Sequence, residues 1–255
     1  MLNPNLKKIN LREEEYTIYA RHLILENIGI NGQKRLKSSK ILIIGAGGLG
    51  CPAILYLAAL GIGYIGIIDE DRINRSNLSR QILFNQENNN QLKTICAKQR
   101  IQKINPQCKI ITHSYKLTEY NAFEIIKYYN IIIDASDNFK TRYIINYTCY
   151  QLHKIHIYGG IQQFEGQISV FNYKSGPRYS DIYPKILNLK DFSCNLNGVL
   201  GIITGTIGIL QATEAIKIIL GVGKILHQDL LIYNSLYSSF KLIKVNSLKM
   251  NDIKR

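Results

Sequence analysis

The chain has 255 residues, 46% of them hydrophobic and none of them tryptophan, which is enough for one substantial α/β core. Its formal net charge of +14 comes without a Lys/Arg block of the kind that grips nucleic acid, and runs such as Asn88-Asn89-Asn90 and Ile131-Ile132-Ile133 point to a drift toward A/T-rich codons instead. The composition thus argues against a nucleic-acid partner, a secreted protein and a membrane span, and five scattered cysteines without a C-x-x-C pair suit a reducing compartment, cytoplasm or plastid stroma.

Residues 11 to about 28 place Glu13, Glu14 and Glu15 ahead of apolar periodic positions, which predicts a helix, and a second short helix is expected over Gln33 to Lys37. Lys40 to Ile44 is an apolar, β-branched run that predicts a buried parallel strand. Gly45-Ala46-Gly47-Gly48-Leu49-Gly50 then turns the chain into a helix reaching about Leu60, and Tyr64 to Asp69 forms the second strand of a right-handed β-α-β unit. Gly45, Gly47, Gly48 and Gly50 are the candidates for a backbone that approaches a phosphate at a helix N-terminus.

The alternation continues with a helix from Lys93 to Ile104, a strand from Lys109 to Thr112, a helix near 120–129 and a strand from Ile131 to Asp134. A helix over 139–152 and a strand over 155–160 follow. Gln167 to Tyr173 reads as an antiparallel strand closed by the turn Lys174-Ser175-Gly176-Pro177, and 178–198 as a long irregular stretch. A helix over Gly201 to Leu220 and strands near 230–234 and 238–245 complete the chain. The expected fold is a single Rossmann-like, doubly wound domain over 1–255, with N-terminal helices in 11–37, a parallel half in 38–160 and an antiparallel half in 161–250.

Asp69, at the end of the second strand, stands where an acidic residue holds a ribose hydroxyl. The polar loop after it carries Asp71, Asn74, Asn77, Arg80 and Gln81, and Lys93 adds a cation at the next helix start. So many donors at the carboxyl ends of the strands suit a triphosphate better than a nicotinamide. Asp137 and Asn138 follow the fourth strand on the same edge, where a carboxylate would hold magnesium on phosphates. An NAD(P)-dependent oxidoreductase is the alternative of a different class, and it leaves Asn77, Arg80, Lys93 and Asp137 without a task.

The ordered set Gly45-Ala46-Gly47-Gly48-Leu49-Gly50, Asp69-Glu70-Asp71, Ser76-Asn77-Leu78-Ser79-Arg80-Gln81, Lys93 and Ser136-Asp137-Asn138 resembles the ThiF/MoeB/HesA family of ubiquitin-activating-enzyme-like adenylyltransferases. Within it the molybdopterin-synthase branch is nearest and the thiamine-pathway branch second. Tyr19-Ala20-Arg21-His22, Glu165-Gly166-Gln167 and Gln211-Ala212-Thr213-Glu214 extend the resemblance over nearly the whole chain.

The resemblance implies ATP-dependent adenylation of the C-terminal glycine of a small ubiquitin-like sulfur carrier, with pyrophosphate released. It assigns Ser76, Asn77, Arg80, Gln81 and Lys93 to the nucleotide and its phosphates, and Asp137 to magnesium with Asn138 beside it. Arg21 is assigned to the γ-phosphate in a neighbouring subunit, hence a homodimer, and Cys194 to a covalent link with the carrier. The thiamine-pathway carrier and a modified tRNA base are the alternative acceptors. Many relatives bind structural zinc through two C-x-x-C pairs, the first just after the Gly-Pro turn. Here Arg178-Tyr179-Ser180-Asp181 follows that turn and the tail Asn251 to Arg255 has no cysteine, so zinc is expected to be absent and 178–198 less tethered. No rhodanese-like stretch is recognised, so a separate protein is expected to donate the persulfide.

Overall fold

A computed structural model describes residues 4–184 and 198–246. Its eight strands form one mixed sheet in the order β3-β2-β1-β4-β5-β6-β7-β8. The strands are β1 (Lys40–Ile44), β2 (Tyr64–Ile68), β3 (Lys109–His113), β4 (Ile131–Asp134), β5 (Ile155–Gln162), β6 (Glu165–Phe171), β7 (Asp229–Asn234) and β8 (Ser239–Lys244). The first five pair in parallel and the last three join antiparallel. This is the fold the β-α alternation predicts.

The sheet is buried on both sides because each central strand is apolar on both sides. Ile41 and Ile43 of β1 join one cluster with α4 (Gly50–Ala59), α5 (Lys93–Ile104) and a long helix at Gly201–Leu220. Leu42 and Ile44 face the opposite cluster, with α6 (Ala122–Ile126) and α7 (Phe139–Gln151). Such alternation places every residue of an all-apolar strand in contact with a helix, and each buried aliphatic side chain contributes roughly 1.5–3 kcal/mol.

Three expectations need correction. The N-terminal helix is broken into α1 (Glu13–Ile18) and α2 (Ala20–Leu23), and α3 runs over Gly29–Ser38 rather than Gln33 to Lys37. The break has a cause in tertiary structure. Tyr19 between the two is only 3% exposed, and its hydroxyl accepts a hydrogen bond from Asn105 Nδ2 at 2.8 Å, which draws that turn into the core. Gly29 then adopts φ +55°, a left-handed value that lets the chain reverse into α3.

The helix at Gly201–Leu220, here α9 after the short α8 (Tyr179–Ile182), is long and apolar enough to cross a bilayer, contrary to the expectation of no such run. Its apolar surface is instead spent inside the fold, against α4, β5 and β6, with Ile203, Ile207, Ala215 and Ile219 fully buried. Gly221 ends it in the left-handed region at φ +74°.

Residues 178–184 are fastened rather than loosely tethered. Tyr179 is fully buried among Tyr143, His156, Tyr158 and Phe171, with ring centroids 5.2–6.3 Å away. The rest of the stretch expected to be irregular lies outside the described residues.

Candidate active site

The carboxyl ends of β1, β2 and β4 and the turn after β5 enclose a cleft of about 590 Å3, the size of a nucleotide site. Its floor is the glycine turn. Gly45 sits at φ +100°, and a side chain there would place its Cβ 2.6 Å from the carbonyl of Ala135, so only glycine fits. Gly48 faces Thr204 of α9, whose Cβ and hydroxyl would lie 2.9 Å from any added Cβ.

Asp69 holds this turn in shape. Ala46 N–H donates to its Oδ2 at 2.7 Å and Asp71 N–H donates to its Oδ1 at 2.8 Å. Burial raises the Asp69 pKa above the ordinary carboxylate value, opposed by Lys93 and by those two amides. Lys93 is itself nearly buried at 6% side-chain exposure, with its Nζ 2.7 Å from Asp71 and 3.8 Å from Asp69. The two carboxylates offset the charge of this desolvated ammonium and hold it at the edge of the glycine turn.

Gly45, Gly47, Gly48, Asp69, Asp71, Asn77, Arg80, Gln81, Lys93, Asp137 and Asn138 all line the cleft, so residues up to 93 positions apart in sequence converge there. Arg80 reaches back to the carbonyl of Ser76 at 3.1 Å, and Gln81 is buried with its Oε1 free of any protein partner. Asn138 caps α7 through Thr141 N–H at 2.9 Å, which leaves the exposed Asp137 at the cleft mouth.

Other expected residues lie elsewhere. Ser76 turns its amide and hydroxyl to Asn74 Oδ1, both at 3.0 Å, and does not line the cleft. Gly50 is buried behind it, where its missing side chain lets α4 abut the carbonyl of Gly45. Arg21 is exposed on α2, away from the lining residues of this cleft. Cys194 lies outside the described residues. Cys51 is a packing residue, fully buried with its thiol pushed up to about 12 by desolvation.

The zinc-binding residues of the family do not fit here. Arg178 and Asp181 follow the Gly-Pro turn, and a guanidinium is no zinc ligand.

Sequence reasoning missed Tyr115, Arg142, Tyr158, Tyr183 and Thr204, which also line the cleft. Arg142 had a signal, since it lies one turn into the helix that Asn138 caps. Its Nη2 donates to the carbonyl of Ser136 at 3.1 Å, bracing the loop that carries Asp137. Beneath them Asp134 is fully buried, its Oδ1 accepting from Ser136 Oγ at 2.6 Å and its Oδ2 3.2 Å from His156 Nε2. Burial opposes its ionisation, but His156, Arg142 and Ser136 together hold its pKa below the ordinary value.

Comparison with known proteins bears on this geometry. The ThiF family model matches residues 19–253. A probable molybdopterin-synthase adenylyltransferase of Gracilaria tenuistipitata var. liui is 56% identical over 236 residues, covering 92% of this chain and 66% of that protein. The Culex quinquefasciatus adenylyltransferase and sulfurtransferase MOCS3 is 43% identical, covering 94% of this chain and 55% of the other. The chain therefore spans just under two thirds of the length of the algal relative and about half of the insect one. Among solved structures, PaaA superposes with a TM-score of 0.80 at 22% identity, over 94% of this chain and 76% of PaaA. Escherichia coli MccB with ATP does so with 0.77 at 19%, over 96% and 82%. At such identities these two establish the fold.

Proposed function

The chain belongs to the ThiF family, and from that premise we propose that it adenylates the C-terminal glycine of a ubiquitin-like sulfur carrier, the small subunit of molybdopterin synthase, for molybdenum-cofactor biosynthesis. One observation carries the reading: Lys93, Arg80, Asn77 and Asp137 share a cleft with the glycine turn and Asp69. A dinucleotide site for hydride transfer has no use for two cations and a magnesium-type carboxylate around one phosphate position.

ATP lies with its ribose toward Asp69 and its phosphates over Gly45 to Gly48. An oxygen of the carrier's terminal carboxylate attacks the α-phosphorus, the bond to the bridging oxygen breaks, and pyrophosphate leaves with the electron pair. The acyl-adenylate stays in the cleft for a sulfur nucleophile. The work of the chain is positioning and charge neutralisation. Lys93 and Arg80 balance charge on the phosphates, and Asn77 donates to them. Asp137 is the carboxylate that would hold magnesium, which would supply further neutralisation of phosphate charge. In a homodimer, Arg21 of each copy reaches the cleft of the other.

The test is carrier-dependent exchange of labelled pyrophosphate into ATP. Exchange with the molybdopterin-synthase carrier is expected, with a loss of roughly 100-fold or more in Arg80→Ala and Asp137→Ala. Exchange only with the thiamine-pathway carrier would move the chain to that pathway, and tRNA-stimulated activity without carrier would replace the acceptor altogether.

A further inference from the structure

The cleft continues past the nucleotide half into a second lobe along β5 and β6, and one wall of that lobe belongs to neither strand. It is Tyr183, at the end of α8, whose hydroxyl donates to Gln167 Oε1 at 2.5 Å. We propose that residues 178–183 form a metal-independent arm that presents Tyr183 to this lobe, where it positions the backbone of the peptide acceptor. The proposal rests on the adenylation reading for the nature of the acceptor. The fastening of the arm does not depend on that reading.

The fastening has three parts. Tyr179 is driven fully into the aromatic cluster beneath the sheet, and its ring lies 5.0 Å from that of Tyr183. Tyr143 Oη donates to the carbonyl of Tyr183 at 2.8 Å, and Tyr183 N–H donates to the carbonyl of Tyr179 at 3.0 Å. Arg178 and Asp181 close the start of the arm. Arg178 N–H donates to Asp181 Oδ2 at 2.8 Å, its guanidinium lies 3.3 Å from Oδ1, and the same guanidinium sits over the ring of Tyr150, 4.9 Å from its centroid.

These two residues, three apart after the Gly-Pro turn, stand where relatives carry the first cysteine pair of a zinc site. The buried carboxylate of Asp181, only 4% exposed, accepts from a residue that cannot ligate a metal. A neutral aromatic wall suits the acceptor. Burial raises the pKa of Tyr183, so its hydroxyl keeps the proton it donates to Gln167, and a side chain on the neighbouring Gly160 would collide with the Tyr158 hydroxyl.

Three measurements on the full chain test this. Metal analysis of the purified protein is expected to find no stoichiometric zinc, and hydrogen exchange at Tyr183 N–H is expected to be unchanged by a strong chelator. One zinc per chain, or deprotection of that amide on chelation, overturns the metal-independent arm. Tyr183→Ala is expected to raise the KM for the carrier about tenfold while the Kd for ATP stays within twofold, and Tyr183→Phe to raise it less. An unchanged carrier KM in Tyr183→Ala overturns the positioning role. Arg178→Asp and Asp181→Arg are each expected to speed exchange at that amide, with the charge-swapped double variant recovering protection. If no carrier supports pyrophosphate exchange in the unaltered protein, the adenylation reading and the positioning role fall, while the exchange and metal results still decide the arm.

Discussion

The two lobes of the cleft meet at the end of β4 and share almost no chemistry. Lys93, Arg80, Asp69, Asp71 and Asp137 line the nucleotide lobe, whereas Tyr158, Gly160, Gln162, Gln167 and Tyr183 line the other, with Glu165 beside them and the Arg142 guanidinium over the Tyr158 ring. In the first, Lys93 is paired with Asp71. The second is shaped mainly by neutral rings and amides. The contrast suits the proposed reaction, which needs a polyanion on one side and a peptide main chain on the other.

Asp134 lies under that junction, and its removal is the harshest way to break the contrast. Asp134→Ala strands His156 and Arg142 in a buried site and is expected to cost roughly 3–5 kcal/mol in urea unfolding at neutral pH. Because the folded pKa of Asp134 is lowered, the unfolded chain binds the extra proton, so its contribution is present above the ordinary value of 3.8 and is lost as pH falls through the folded pKa. A gap between variant and parent that is the same at acid and neutral pH would rule out this role.

Gly45→Ala comes next, at about 2–4 kcal/mol, from a left-handed backbone combined with contact on the Ala135 carbonyl. Nucleotide binding measured by calorimetry should vanish with it, and retained affinity would show that the turn can reshape.

Asp69→Asn sharpens the comparison because its sign is opposite to that of Asp134. Burial raises the folded pKa of Asp69, so the folded state holds its proton longer, and the stability of the parent relative to the variant falls as pH rises above 3.8 through that raised value. The variant is therefore expected to equal or exceed the parent in thermal stability at pH 7 while losing carrier-dependent exchange. A large loss of stability at pH 7 would mean that the bonds to Ala46 and Asp71 outweigh desolvation.

Lys116→Ala removes an exposed pair with Glu70, 3.2 Å apart, at the cleft rim and is expected to change stability by less than about 1 kcal/mol. A larger effect would show that the rim is ordered by this pair.

The parallel half was legible because its signals are local. The apolar runs at Ile41 to Ile44 and Ile131 to Ile133 declare buried strands, Gly45 to Gly50 declares the turn, and Asn105-Pro106 ends α5 where it should. Convergence of Asn77, Arg80, Lys93 and Asp137 follows from parallel strands that all end on one edge. The second lobe was not legible, since Tyr158, Gln167 and Tyr183 meet only through the antiparallel pairing of β5 with β6 and the burial of Tyr179. The break at Tyr19 was hidden for the same reason: its partner Asn105 lies 86 residues away. The orientation of Ser76 was hidden as well, because a short 3-10 turn capped by Asn74 satisfies its polar groups locally.

Helix α9 covers β5, β6 and α4 and touches α3 and β4, yet it begins at Gly201, after six of the eight strands have been made. During synthesis β5 and β6 wait with Ile157 and Ile168 on that face uncovered until some 220 residues have left the ribosome. The last long helix therefore acts as the keystone of assembly, and a chain interrupted before it is complete presents to chaperones the apolar surface that in the finished molecule lies beneath the glycine turn.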